Sequence, residues 1–377
     1  MPEVISTDAF SVGGNAGSQR LLGLDGLRAV AAAMVLIPHT EHILANLGLP
    51  HHLTDHPWLS GLARLGVVLF FVLSGFIITY RLCMEQQQQG GHSIPRFYMR
   101  RILRIWPVYF LVVILALGPL AGLPIFQPPG YDAAGLQSEL AGKVALYVLM
   151  LPSLVPLLTG LLPTLAHLWS IGTEEQFYLF WPWLLSWSKR RMWIPMLLTI
   201  IVYILVDDVL RSDAGTGHPL KPVLFTFWYH FRIDHLALGG LIALVLVRGG
   251  RPVRWLGHPT SLAGALLLVV LLIRGTIVPP VDTERTLATL FGLVILSAAR
   301  GNIPVLDMRW LRYLGSISYG IYMYHVLVAV AVVNGLHPYT SSPIVLLVAV
   351  VISVIAVAAL SYHTFETYFL RLKQRYA

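Results

Sequence analysis

The apolar stretch Leu24–Asn46 is long enough to cross a bilayer, yet it carries Asp25 and Arg28 near its start and His39, Glu41 and His42 further on. An ionisable group inside a spanning helix costs roughly 2.5–3.5 kcal/mol on insertion scales, so such groups face a protein interior or a water-filled cavity. Arg28 and His39 are eleven residues apart. That is close to three turns, which places them on one helix face about 16 Å apart along the axis. One side of the helix thus offers a cation at one depth and a proton acceptor deeper in. Taken singly, Arg28 reads as a snorkelling side chain and His39 as a hydrogen-bonded core histidine. As a pair they favour function.

Three further islands of polarity interrupt the apolar text. Phe97–Pro107 reads FYMRRILRIWP, and Arg101 and Arg104 at i, i+3 share a helix face. Guanidinium forks suit phosphate groups, although such a cluster alone also fits a stop-transfer signal or a contact for anionic lipid head groups. His167–Tyr178 reads HLWSIGTEEQFY. Its adjacent carboxylates Glu174 and Glu175 point in different directions, so at most one faces a cavity. Either one could orient an imidazole or simply favour the dipole of a helix start. The last island joins Arg232, Asp234 and His235 to Tyr319, Tyr322, Tyr324 and His325. The first group reads as a structural ion pair and His325 as a packed, hydrogen-bonded ring.

These groups need helices to hold them, and composition says which kind. Of the 377 residues 56% are hydrophobic and only 12% charged, far from the balance of a soluble domain. Apolar runs of spanning length recur down the chain and predict an all-α, polytopic membrane protein of about ten transmembrane helices. The spans fall near 24–46, 62–82, 105–123, 166–187, 192–208, 228–247, 260–278, 285–300, 314–334 and 343–369. Ser74 and Gly75 mark a tight-packing point in the second. The segment 124–165, interrupted by Pro152 and Pro156, reads as interfacial or re-entrant.

With both termini cytoplasmic, most Lys and Arg residues lie inside and only Arg64, Lys143, Arg211, Lys221, Arg232, Arg274 and Arg285 outside, as the positive-inside rule expects. The net charge of +8 reports that bias and gives no reason to invoke nucleic acid. Cys83 is the sole cysteine, which excludes an internal disulfide and a cysteine-based metal site. His51, His52 and His56 read as loop residues, and no metal site is expected. Residues 1–20 read as a disordered cytoplasmic tail without the order of a cleavable signal peptide, and 371–377 as a cytoplasmic C-terminal tail. The first span then acts as an uncleaved signal anchor.

The order Leu24-Asp25-Gly26-Leu27-Arg28, His39, Phe97–Pro107, Trp169-Ser170 with Glu174-Glu175-Gln176-Phe177-Tyr178, and Ser318-Tyr319-Gly320-Ile321-Tyr322 with His325 resembles the acyltransferase-3 family of integral-membrane O-acyltransferases. The likeness covers residues 21–370. The filling Ile171-Gly172-Thr173 before Glu174 departs mildly from the expected pattern.

The resemblance implies transfer of an acyl group, usually acetyl from acetyl-CoA, to hydroxyls of extracytoplasmic sugars such as lipopolysaccharide, exopolysaccharide or lipid-linked glycans. The enzyme would sit in the cytoplasmic (inner) membrane with lipids as neighbours. Acyl-CoA would act as co-substrate, with no cofactor held permanently. By the same resemblance Arg28, Arg101 and Arg104 would bind the donor phosphates. His39 would serve as base or acyl carrier, and Glu174 would orient it. A stand-alone member is expected, without the soluble esterase-like domain that some members append. The competing class is a transporter or flippase using buried Arg28, His39 and Glu174 as a pathway. Against it stand the absence of matched broken helices and the gathering of cations at one membrane face.

Overall fold

The computed structural model describes residues 21–51, 61–131, 138–188, 191–212, 218–279 and 282–376. The expected tail 1–20 and the loop histidines His52 and His56 lie outside the described residues. Secondary structure among the described residues is helical, with no strand. Ten principal helices occupy the ten expected ranges: α1 Leu24–Asn46, α2 Leu62–Gln89, α3 Ile94–Leu117, α4 Trp169–Ser188, α5 Trp193–Arg211, α6 Ile233–Arg248, α7 Pro259–Ile273, α8 Thr283–Ala299, α9 Ser318–Leu336 and α10 Pro343–Ser361.

Among the described residues five helices are long and apolar enough to cross a membrane: Leu62–Gln89, Trp193–Arg211, Lys221–Arg248, Ser318–Leu336 and Pro343–Tyr376. The pair Gly250–Leu256 and Pro259–Ile273, bent by 51°, makes a sixth if it forms one span. Large apolar side chains stand exposed along α5 (Leu198, Ile201, Val202, Leu205), α7 (Leu267, Val270) and α10 (Ile344, Val348, Ile352). So much apolar surface suits lipid and not water. The chain is a multi-pass membrane protein.

Some bounds differ from the sequence expectation, each for a local reason. α3 starts at Ile94, so the basic cluster belongs to the helix instead of preceding it; Pro95 sits in its first turn, where a missing N–H is harmless. The sixth range is broken. Lys221–His230 ends, Phe231 and Arg232 leave helical geometry, and α6 begins at Ile233. The last helix runs on from Ser361 through a π-turn, Tyr362–Glu366, into Thr367–Lys373. Between Gly118 and Leu168 the described residues form only short helices: Pro124–Phe126, Leu140–Val148, Pro152–Leu154, Val155–Leu158 and Pro163–Leu168. None is of spanning length.

The bundle centres on α2, which packs against α1, α6 and α8. The α2–α6 contact requires glycine, because a Cβ on Gly75 would strike the backbone of Leu236 and one on Gly239 the backbone of Val72. Small residues let two apolar helices touch where no hydrophobic drive separates protein from lipid. α1 is gripped on its other sides by α9 and by the short helix Arg309–Ser316, whose Gly315 lies on the carbonyl of Asp25. The start of α1, with its Asp-Gly-Leu-Arg run, is therefore wedged in place, and Arg28 has a fixed depth.

Candidate active site

α1 begins one residue after Gly23, whose left-handed backbone turns the chain into the helix and whose N–H donates to Asp307 Oδ1 at 3.0 Å. One turn on, Arg28 pairs with Asp25 at 3.4 Å, a long contact that leaves most of the guanidinium unengaged. Arg28 lines a partly open cavity of about 90 Å³. α3 contributes Arg101 and Arg104 to the same cavity, α4 contributes Ser170, Glu174 and Tyr178, α2 contributes Ser74, and α9 contributes Tyr319 and Tyr322. Four of the five expected site residues thus converge from three helices far apart in sequence. The enclosed volume is that of a small group.

The i, i+3 argument for the basic cluster holds in three dimensions. Arg101 and Arg104 face the cavity, while Arg100, on another side of α3, donates to Glu85 Oε1 at 2.6 Å and to the carbonyl of Tyr376 at 2.9 Å. Arg101 lies 5.9 Å from the centres of the Phe97 and Tyr178 rings, and its Nε is buried without a hydrogen-bond partner. The adjacent glutamates also divide as expected. Glu174 lines the cavity, whereas Glu175 accepts a hydrogen bond from the indole N–H of Trp106 at 2.9 Å.

Glu174 does not act on His39 in this arrangement. Its carboxylate accepts the hydroxyl of Tyr178 at 2.6 Å. Because that proton is committed, Tyr178 Oη accepts in turn from Ser74 Oγ, also at 2.6 Å. The chain Ser74–Tyr178–Glu174 hangs a hydrogen-bonded carboxylate opposite three guanidinium groups.

His39 lies outside the cavity lining, further along α1 and directly after Pro38, which interrupts the backbone ladder of the helix. The orienting contact expected from Glu174 comes instead from His325 on α9, whose Nε2 is 2.9 Å from His39 Nδ1. His325 Nδ1 is 2.6 Å from the carbonyl of Tyr322. A carbonyl only accepts, so His325 Nδ1 carries a proton. In a neutral ring its Nε2 then carries a lone pair, which requires His39 Nδ1 to donate. His39 Nε2 is left as the basic nitrogen. Two hydrogen bonds therefore fix both the tautomer and the ring plane of His39.

His325, which the sequence made look like a packed ring, is the neighbour that defines His39. The i, i+3 spacing of Tyr322 and His325 on a predicted helix is the signal that could have found it. His167 completes a cluster, its ring 4.6 Å from that of His325. Tyr322 ties the two levels together. Its hydroxyl lines the cavity and bonds Ser170 Oγ at 2.6 Å and the His167 carbonyl at 2.8 Å, while its own carbonyl holds His325. Among the described residues no group of His, Cys, Asp and Glu converges as a metal site.

The other polar island is a separate ion network, none of whose members lines the cavity. Arg232, 2% exposed at the break before α6, faces Asp234, Asp282 and Glu284 at 3.3–3.5 Å. Its Nη2 donates to His235 Nε2 at 2.7 Å. Arg64 pairs with Glu284, and Arg285 with Asp207 and Asp234.

A family model described as "Acyltransferase domain" matches residues 21–363. The chain is 25% identical over 378 residues to "O-acetyltransferase OatA" of Staphylococcus aureus, an alignment covering 92% of this chain and 57% of the relative. It therefore spans little more than half the length of that relative. It is 26% identical over 333 residues to "Acyltransferase MdmB" of Streptomyces mycarofaciens, covering 82% of this chain and 79% of the relative. An uncharacterised protein of Haemophilus influenzae is 28% identical over 180 residues. No solved structure matches the chain. With the family match running over nearly all its described helices, the chain belongs to the acyltransferase-3 family of membrane acyltransferases.

Proposed function

We propose that the chain is an O-acyltransferase of the inner membrane, crossing it ten times with both termini cytoplasmic. It moves an acyl group, acetyl in the simplest case, from cytoplasmic acyl-CoA to a hydroxyl of an extracytoplasmic sugar on a surface polysaccharide, lipopolysaccharide or lipid-linked glycan. The observation that carries this reading is the meeting of Arg28, Arg101 and Arg104 on one cavity, with a tautomer-fixed His39 about 16 Å further along the helix that bears Arg28. An anion-binding end and a basic end at opposite depths fit a donor with phosphates at one end and a thioester at the other. They also fit an acceptor on the opposite side of the membrane.

In the mechanism, Arg101 and Arg104 hold phosphoryl oxygens through planar forks, and Arg28 adds a third cation. The donor arm passes Ser74, Ser170, Tyr322 and Glu174, whose polar groups can meet its amides. At the outer level His39 Nε2 takes the proton of the acceptor hydroxyl as the oxygen attacks the thioester carbonyl. The C–S bond breaks, and the thiolate recovers the proton from the imidazolium. His325 keeps Nδ1 of His39 engaged throughout. Direct acylation of His39 would use the same nitrogen as nucleophile.

The test is acyl transfer by the purified protein in detergent, with labelled acetyl-CoA and a panel of sugar acceptors, alongside the O-acyl content of surface glycans with and without the gene. Acetyl-CoA turnover that depends on His39 supports the reading. Absence of any donor turnover or exchange overturns it. For the topology, a reporter active only outside the cytoplasm should be silent after Gln88 and active in the 48–60 loop.

A further inference from the structure

The cations at the inner end of the bundle outnumber those the cavity uses. Beyond Arg28, Arg101 and Arg104, Arg81 lies on α2 seven residues past Ser74, about two turns further towards the inner end. The helix Thr367–Lys373 packs along α3, and the turn Gln374–Tyr376 follows it. Arg100 fastens this segment, holding the carbonyl of Tyr376 with one nitrogen and Glu85 of α2 with the other. Lys373 lies three residues before Tyr376 in this segment, and Arg81 lies one turn before Glu85 on α2, so the two contacts of Arg100 draw both cations to the end of α3 that carries Arg101 and Arg104.

The carboxylates nearby are engaged elsewhere: Asp25 with Arg28, Glu85 with Arg100, Glu174 with Tyr178 and Glu366 with Ser361. Among the described residues no ion pair holds Arg81, Arg101, Arg104 or Lys373. Like charges gathered without a directly paired carboxylate repel one another, and an anion that bridges them relieves that repulsion. Arg101 Nε, buried without a partner, points to the same deficit.

Resting on the donor reading above, we infer that Arg81 and Lys373 form a second anion subsite at the inner rim, which takes the ribose 3′-phosphate of the coenzyme A donor. The division follows from the ligand's shape. The pyrophosphate adjoins the pantetheine arm and belongs with Arg101 and Arg104, which line the cavity. The 3′-phosphate sits at the nucleotide end, farthest from the thioester, and meets the cations outside the cavity. The cavity itself encloses only the volume of a small group, and the nucleotide lies where Arg81 and Lys373 are. The subsite makes the enzyme selective for coenzyme A over carriers that end at phosphopantetheine.

The experiment is titration of the full-length protein in lipid-free detergent with CoA and with 3′-dephospho-CoA. The expected result is CoA binding roughly tenfold tighter, the equivalent of one charge-assisted hydrogen bond to phosphate. In Lys373→Gln and Arg81→Gln the ratio should fall to about two or below, with dephospho-CoA affinity unchanged, and Lys373→Arg should keep it. Equal affinities in the wild-type protein, or a ratio that survives in the double variant, overturn the subsite. Competition by 3′,5′-ADP against 5′-ADP in the wild-type protein tests the same point without any variant: 3′,5′-ADP should compete better, and equal competition also overturns the subsite. Arg101→Gln with Arg104→Gln should weaken both coenzymes together. If it weakens neither, the donor reading itself fails, whatever the rim variants do.

Discussion

The two charged regions of this molecule are both partly buried and both rich in arginine, yet they are built on opposite plans. In the network around Arg232, every cation meets a carboxylate. Arg64 lies on Glu284, Arg211 on Asp207, Arg285 on Asp207 and Asp234, and Arg232 is surrounded by Asp234, Asp282 and Glu284. The network ties α2, α5, α6 and α8 together at one end of each and has no charge to spare. At the arginine-lined cavity, Arg28 has one long contact with Asp25, and Arg101 and Arg104 have no ion pair among the described residues. The one carboxylate in that cavity, Glu174, is held by a tyrosine. A network of four arginines and four carboxylates neutralises its own charge and works as a clamp. An unbalanced one calls for an anion, and the same residue type then serves binding.

The comparison can be broken most readily at Arg232. Replacing it with Met leaves three carboxylates without their central cation and should cost about 3–5 kcal/mol of stability, read as a collapse of the detergent unfolding midpoint. Arg104→Ala should change that midpoint by less than about 1 kcal/mol and act on donor affinity. Equal destabilisation by both would erase the distinction. Next in size is His39→Ala, expected to insert, fold and bind CoA while transfer falls by at least ~10²-fold, as for removal of a general base. Replacement of His42, which is exposed on another face of α1, should be mild. Transfer that persists in His39→Ala would take the chemistry away from α1.

A smaller effect is expected at His325, which acts through His39. His325→Ala should lower kcat roughly 10–100-fold, the range for losing a group that orients a functional ring, and His325→Gln should recover part of it, because its amide oxygen can accept from His39 Nδ1. A purely structural His325 would show no such difference between Ala and Gln, and no change in the pH profile of kcat. The smallest effect belongs to Tyr178→Phe, which removes the hydroxyl between Ser74 and Glu174 and should cost about 1 kcal/mol of stability. CoA affinity should change little, since Glu174 still faces the arginines; a large loss of affinity would make the hydroxyl a donor contact.

Much of the molecule was legible from the chain because it depends on local periodicity and on the bilayer. Apolar runs located the longer helices, of which five among the described residues, or six with the bent pair, are long and apolar enough to cross a membrane. The i, i+3 spacing put Arg101 and Arg104 on one face, and the adjacent glutamates had to diverge, as Glu174 and Glu175 do. Ser74-Gly75 marked a close approach that Gly75 makes with Leu236. The break at Phe231–Arg232 and the early start of α3 were less legible, because helix ends depend on what buries them.

By itself, the sequence determined that charged groups must face inward at particular depths, since hydrocarbon tolerates them nowhere else. It thereby placed Arg28, His39, Arg101, Arg104 and Glu174 on interior faces. Only the tertiary structure decided which interior group meets which. His39 and His325 are separated by most of the chain and meet at 2.9 Å because α1 and α9 pack side by side, and Glu174 turns to Tyr178 and the arginines instead. A hydrogen bond is chosen by proximity within an ångström, and helical periodicity sets a side chain's depth and face without naming the helix across from it.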